Sequence, residues 1–178
     1  MRADELDAPP EASSAPGGNG GNLFATVLRN ASLYAAWRPF VKRLNAASTL
    51  PLRHRELLVL RTAWICRSEY VWGQHVLVAR TGGVQVRDIE GVREGPDSAY
   101  WTPFEAALVA VPDELRRDAR VSEPTWAVLA SELSADQLLD VLFLAGHYAM
   151  VSGVVNSVGV RRETGVPGLD EVGEPSGA

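Results

Sequence analysis

Glu56 and His75 lie nineteen residues apart in the stretch RELLVLRTAWICRSEYVWGQH. A carboxylate beside an imidazole is a common general acid–base pairing, because the imidazole exchanges a proton near neutral pH and the carboxylate holds it in place. The apolar pattern puts the two residues on consecutive helices. With a turn at Cys66-Arg67-Ser68, they stand about ten and eight residues from it, at similar height in an antiparallel pair. Trp72 is three residues before His75 and shares its helix face, whereas Tyr70, five before, sits off it. An aromatic wall beside an imidazole suits a flat substrate, and core packing accounts for the same residues equally well. Glu56 has a plainer reading too, as the partner of Arg53, Arg55 or Arg61, since charges are seldom buried unpaired.

Other reactive types are sparse. Cys66 is the only cysteine, which excludes an internal disulfide and any CxxC redox or metal pair; its apolar setting suggests a structural thiol. His54 precedes a helix core and is expected at the surface. His147 and Tyr148 fall mid-helix after Gly146, a residue that permits close approach of another helix. Tyr148 and Asn156, eight apart, share a face and are candidates to line one cavity.

The elements that must position these residues read as helical throughout. Asn22 opens a short helix carrying Leu23, Phe24, Val27 and Leu28, and a second runs from Leu33 to Leu44 with Pro39 bending it. Arg53 to Cys66 is a buried helix. Ser68 to Arg80 follows, closed by Gly82-Gly83, and Val84 to Val92 is a short one. Thr102-Pro103-Phe104-Glu105 has a cap, an N1 proline and an N3 glutamate in order, starting a helix to about Arg117. Ser122-Glu123-Pro124 begins another. Ser134 with Gln137 is a capping box opening a long helix to about Arg161, apolar nearly all round and therefore central or at a subunit contact. No alternating run of strand length occurs, so the fold class is all-α, with seven to eight helices.

Charge and composition bound the function. Residues 1–21 set Arg2 against Asp4, Glu5, Asp7 and Glu11, and residues 163–178 add Glu163, Asp170, Glu171 and Glu174. Removing these from the net −5 leaves 22–162 at +2, far from the basic face that a phosphate backbone requires. A nucleic-acid partner is not expected. Residues 1–21, rich in Pro, Gly, Ala and Ser, read as a disordered tail with no apolar signal segment. Residues 163–178 read as an acidic, flexible C-terminal tail whose first few residues can pack on a neighbour, and no apolar run approaches a membrane span, so a cytoplasmic location is expected.

Taken in order, NLFATVLRNASLYAAW, LPLRHRELLVL, EYVWGQH and GHYAMVSGVVNSVGV make residues 22–162 resemble the carboxymuconolactone decarboxylase family, within the alkylhydroperoxidase D-like superfamily. The resemblance implies an all-helical bundle assembling as a homotrimer or homohexamer, with sites near subunit contacts. In the peroxide-reducing branch a glutamate, a CxxC pair and a histidine form the site. Here these fall on Glu56, Ser68, Val71 and His75, so both thiols are missing and disulfide-cycling peroxidase chemistry has no reacting atoms.

What the resemblance leaves is an acid–base site of the decarboxylase type. It implies Glu56 and His75 as catalytic residues, with no cofactor and no metal. Arg53 or Arg67 would hold a substrate carboxylate, with Tyr70, Trp72, Tyr148 and Asn156 as candidate substrate contacts. Two readings stay open: an enzyme acting on a small cyclic acid or lactone in aromatic-compound breakdown, and a binding or assembly protein that kept the pocket without the chemistry.

Overall fold

A computed structural model of the chain describes residues 21–172, and these form eight α-helices without a strand. They are α1 (Asn22–Leu28), α2 (Ala31–Asn45), α3 (Leu52–Ile65), α4 (Glu69–Thr81), α5 (Val86–Glu94), α6 (Pro103–Asp118), α7 (Glu123–Glu132) and α8 (Ala135–Val158). The expected tail at 1–21 lies, apart from Gly21, outside the described residues.

The starts follow the capping chemistry. Asn30, Thr102, Ser122 and Ser134 each accept a backbone N–H of the first turn, and Thr102–Glu105 and Ser134–Gln137 are reciprocal boxes. One end differs from expectation. α8 stops at Val158 because Gly159 adopts the left-handed conformation (φ 72°), two residues before the arginine pair.

The core is built around α3, which packs on α4, α5, α6 and α8. Residues Glu56 to Ala63 are all buried, and Leu57, Leu58 and Leu60 have no exposed surface. Burying each such leucine contributes roughly 1.5–3 kcal/mol. The α3–α4 connection is what sets the site. Ser68 N–H donates to Ala63 C=O (2.9 Å) and Arg67 N–H to Trp64 C=O (3.1 Å), a Schellman closure with Arg67 at φ 53° where glycine is usual. This tight reversal lays α4 back along α3.

Residues 163–172 correct the expectation of a flexible tail from 163 onward. They carry no helix, yet Val166, Pro167 and Gly168 are buried against the bundle. The segment lies so close to α4 that a Cβ at Gly73 would overlap the Pro167 carbonyl and the Val166 side chain. Trp72 Nε1 donates to Glu171 C=O (3.3 Å), Arg93 donates to Leu169 C=O, and Glu163 accepts from Tyr70 (2.9 Å), Gln74 (2.5 Å) and the Asn22 backbone (2.7 Å).

α8 also revises the reading of its sequence. By length and composition it is long and apolar enough to cross a membrane, with mean hydropathy 1.7, but 56% of that window is buried inside the bundle. It is a core helix with an uncovered side. Leu139, Phe143 and Met150 are each more than half exposed, and Gly146, expected to admit another helix, faces open space, as does Gly153.

Candidate active site

The reversal after α3 brings Glu56 and His75 together: Glu56 Oε2 lies 2.7 Å from His75 Nδ1. Glu56 is 1% exposed and the His75 side chain 13%, so the pair is screened from solvent but not sealed. Glu56 is therefore not the partner of a neighbouring arginine. Arg61 binds both oxygens of Asp113 (2.7 Å each) and the Val92 carbonyl. His75 Nε2 makes no hydrogen bond among the described residues and is the nitrogen left to meet a ligand.

The aromatic ring beside His75 comes from α8. Tyr148 stands edge-on to it, with ring centroids 4.7 Å apart. The Tyr148 hydroxyl donates to Asn45 Oδ1 of α2 (2.8 Å). Burial pushes the phenol's pKa up, and the Glu56 charge pushes it further, while the Asn45 bond and the Arg55 charge oppose the rise. Tyr148 is thus a neutral phenol at physiological pH. It ties α2, α3, α4 and α8 into one site.

Several expected contacts are elsewhere. Trp72 is fully buried, stacked on Trp64 (5.5 Å) with the Arg93 guanidinium 5.3 Å above its ring, so its indole is core. Tyr70 lines an open groove of about 430 Å³ with Glu163, Arg161 and Arg162, a set that includes neither Glu56 nor His75. Asn156 is exposed and caps the end of α3 through the Cys66 carbonyl (2.9 Å). It lies two turns, about 12 Å, along α8 from Tyr148, too far to share one small cavity.

Arg53 is withdrawn by its own neighbours. Its guanidinium binds Asp88 (2.5 and 2.9 Å) and Glu105 (2.9 Å), which hold its pKa well above the ordinary arginine value. Arg67 sits exposed on the α3–α4 turn, stacked over Trp64 at 5.3 Å. Arg55 is the cation whose charge reaches Tyr148, and its buried Nε has no hydrogen-bond partner among the described residues. Its position next to Glu56 was the only signal for it in the sequence.

One smaller reading changes as well. His54 is half-buried against Phe104 (5.0 Å), and burial lowers its pKa. At the positions of the missing thiols, Ser68 has no exposed surface and Val71 only 2%. No group of three or more His, Cys, Asp or Glu able to hold a metal occurs among the described residues.

His147 is the residue that spacing alone did not place in the site. It contacts the Tyr148 ring (5.2 Å) from one side and Trp37 (5.8 Å) and Phe40 (5.4 Å) of α2 from the other. Burial, with repulsion from His75 adding to it, lowers its pKa from 6.5 to about 4. The unfolded chain therefore binds this proton more tightly than the folded one. Stability that is complete above pH 6.5 is lost as pH falls, reaching about 3 kcal/mol at pH 4. Denaturant unfolding at pH 7 and pH 4 should show a loss smaller by about that amount in His147→Phe; an equal loss in both proteins would contradict it.

Residues 31–114 match the model of the Carboxymuconolactone decarboxylase family, a span from α2 into α6 that contains both Glu56 and His75. The fold is also that of two solved structures. One is a protein of unknown function from Agrobacterium tumefaciens, proposed to be the antioxidant defence protein AhpD (16% identity, 77% of this chain and 94% of that one, TM-score 0.70). The other, from Ralstonia eutropha JMP134, is an uncharacterized peroxidase-related protein with an alkylhydroperoxidase AhpD core (16% identity, 82% and 78%, TM-score 0.72). No curated protein matches the chain. At this identity the structures establish the helical AhpD-like fold, which is the one expected.

Proposed function

We propose that the protein is a cofactor-free acid–base enzyme that decarboxylates, or otherwise moves a proton on, a small cyclic acid or lactone. The observation that carries this is the 2.7 Å Glu56–His75 pair, buried, in a family segment whose redox thiol positions are Ser68 and Val71. Glu56 holds His75 through Nδ1, which directs Nε2 at the substrate. When a γ-carboxy lactone loses CO2, the electron pair of the broken C–C bond passes into the ring as an enolate-like carbanion. His75 delivers the proton that quenches it, and water restores that proton to His75.

The substrate carboxylate is held by Arg55, which takes the role expected of Arg53 or Arg67. An arginine with an unpaired buried donor gains a charge-assisted hydrogen bond from such a ligand. The test is ultraviolet decay across a panel of small cyclic acids and lactones that includes γ-carboxymuconolactone. Arg55→Gln should raise KM about tenfold or more with little change in kcat, about the worth of one charge-assisted bond. No turnover across the panel, with binding retained, moves the assignment to a binding protein.

Homo-oligomerisation belongs to the same reading. It rests on the uncovered side of α8, where Phe143 and Met150 flank Gly146 and its open space. Light scattering should give a trimer or hexamer, and Phe143→Glu should reduce it; a monomeric wild-type protein would refute this. The absence of nucleic-acid partners completes the proposal, on the near-neutral charge of 22–162.

A further inference from the structure

The contact between α2 and α8 contains two polar atoms that the fold leaves unsatisfied. Trp37 Nε1 and His147 Nδ1 are both shut off from solvent, and neither has a hydrogen-bond partner. Their rings face each other, 5.8 Å apart and 30° from parallel. A buried polar group left without a partner is unfavourable, so a molecule that satisfies both is favoured at this place. The surroundings are aromatic: Phe24 lies 5.7 Å from Trp37, and Phe40 and Tyr148 lie 5.4 and 5.2 Å from His147. The outer margin of α2 is open, with Phe40 38% exposed and only Leu44 of that helix buried. α2 meets α8 through these rings, and the Tyr148–Asn45 hydrogen bond (2.8 Å) and the Arg43–Asp140 ion pair (3.0 Å) join the same two helices.

The chemistry of the two atoms narrows the ligand. An indole N–H only donates, and with the His147 proton on Nε2 its Nδ1 only accepts. A carboxylate accepts from Trp37 but has no hydrogen for His147. A methyl or unsubstituted ring satisfies neither. A hydroxyl does both at once.

We propose that the α2–α8 seam is a second binding site, for a small planar molecule bearing a phenol- or enol-type hydroxyl, whose oxygen accepts from Trp37 Nε1 and whose hydrogen is donated to His147 Nδ1. The ring of that molecule stacks between Trp37, Phe40 and Tyr148. Tyr148 touches both His147 and His75, so the seam adjoins the Glu56–His75 pair without sharing its atoms. The proposal stands whether or not that pair is catalytic, because its test reads binding alone.

The experiment is a titration of the full-length protein with phenol, toluene and benzoate, followed by the ¹⁵N resonances of the Trp37 indole and the His147 imidazole. Phenol should move both resonances and bind at least about tenfold tighter than toluene, since a site built for a hydroxyl rejects the analogue that lacks it. In Trp37→Phe and in His147→Phe, which keep a ring in place, the preference should fall to about one. Equal affinity for phenol and toluene would overturn the proposal. So would a preference that survives both variants, or, in the wild-type protein alone, two resonances that phenol leaves unmoved because a trapped water already serves both atoms.

Discussion

Replacing His75 with glutamine should lower kcat by about 10²–10⁴-fold, the range that a positioned proton-transfer group supplies. Glutamine fills much of the same space and keeps a polar group opposite Glu56 Oε2, so the fold should survive. Glu56→Gln removes the charge that holds the imidazole 2.7 Å away and should cost less, because His75 remains able to exchange a proton. If the two act as one unit, the double variant should be little worse than His75→Gln alone. Additive losses in kcat would mean that they act independently.

Trp72→Ala has the second large effect, and on a different quantity. Trp72 has no exposed surface, packs on Trp64 and Arg93, and ties down residue 171 through its indole N–H. Removing the ring should cost about 3–5 kcal/mol, a fall in melting temperature of roughly 6–20 °C for a chain of this size. A substrate-wall role would show the opposite pattern, a raised KM with an unchanged melting temperature. Thermal unfolding measured beside substrate titration separates the two.

The difference between these residues shows what could be read from the sequence. Trp72 is three positions from His75 and on its face, but which neighbour an aromatic ring meets depends on the crossing of α3, α5 and the 163–172 segment. The helix starts were legible because their signals are local: Thr102 with Glu105 and Ser134 with Gln137 bond within a single turn. The Glu56–His75 contact was legible for a related reason, since a short reversal fixes the height of both residues.

Arg53 was not legible in this way. Its partners Asp88 and Glu105 are 35 and 52 residues distant, and nothing near Arg53 announces them. Composition reports on side chains and does not show how far residues 163–172 pack. Here the segment's carbonyls at Leu169 and Glu171 are held by Arg93 and Trp72, and its backbone fits over Gly73. His147 and Arg55 share that limitation. Their unpaired nitrogens are defined by what four separate helices leave around them.

The proposed reaction requires His75 to transfer the proton. The direct measurement is the ultraviolet decay of γ-carboxymuconolactone with wild-type protein and His75→Gln side by side, each confirmed helical by circular dichroism. The wild type should turn over, with a rate at least about a hundredfold lower in the variant at equal helicity. Wild-type turnover matched by His75→Gln would contradict it.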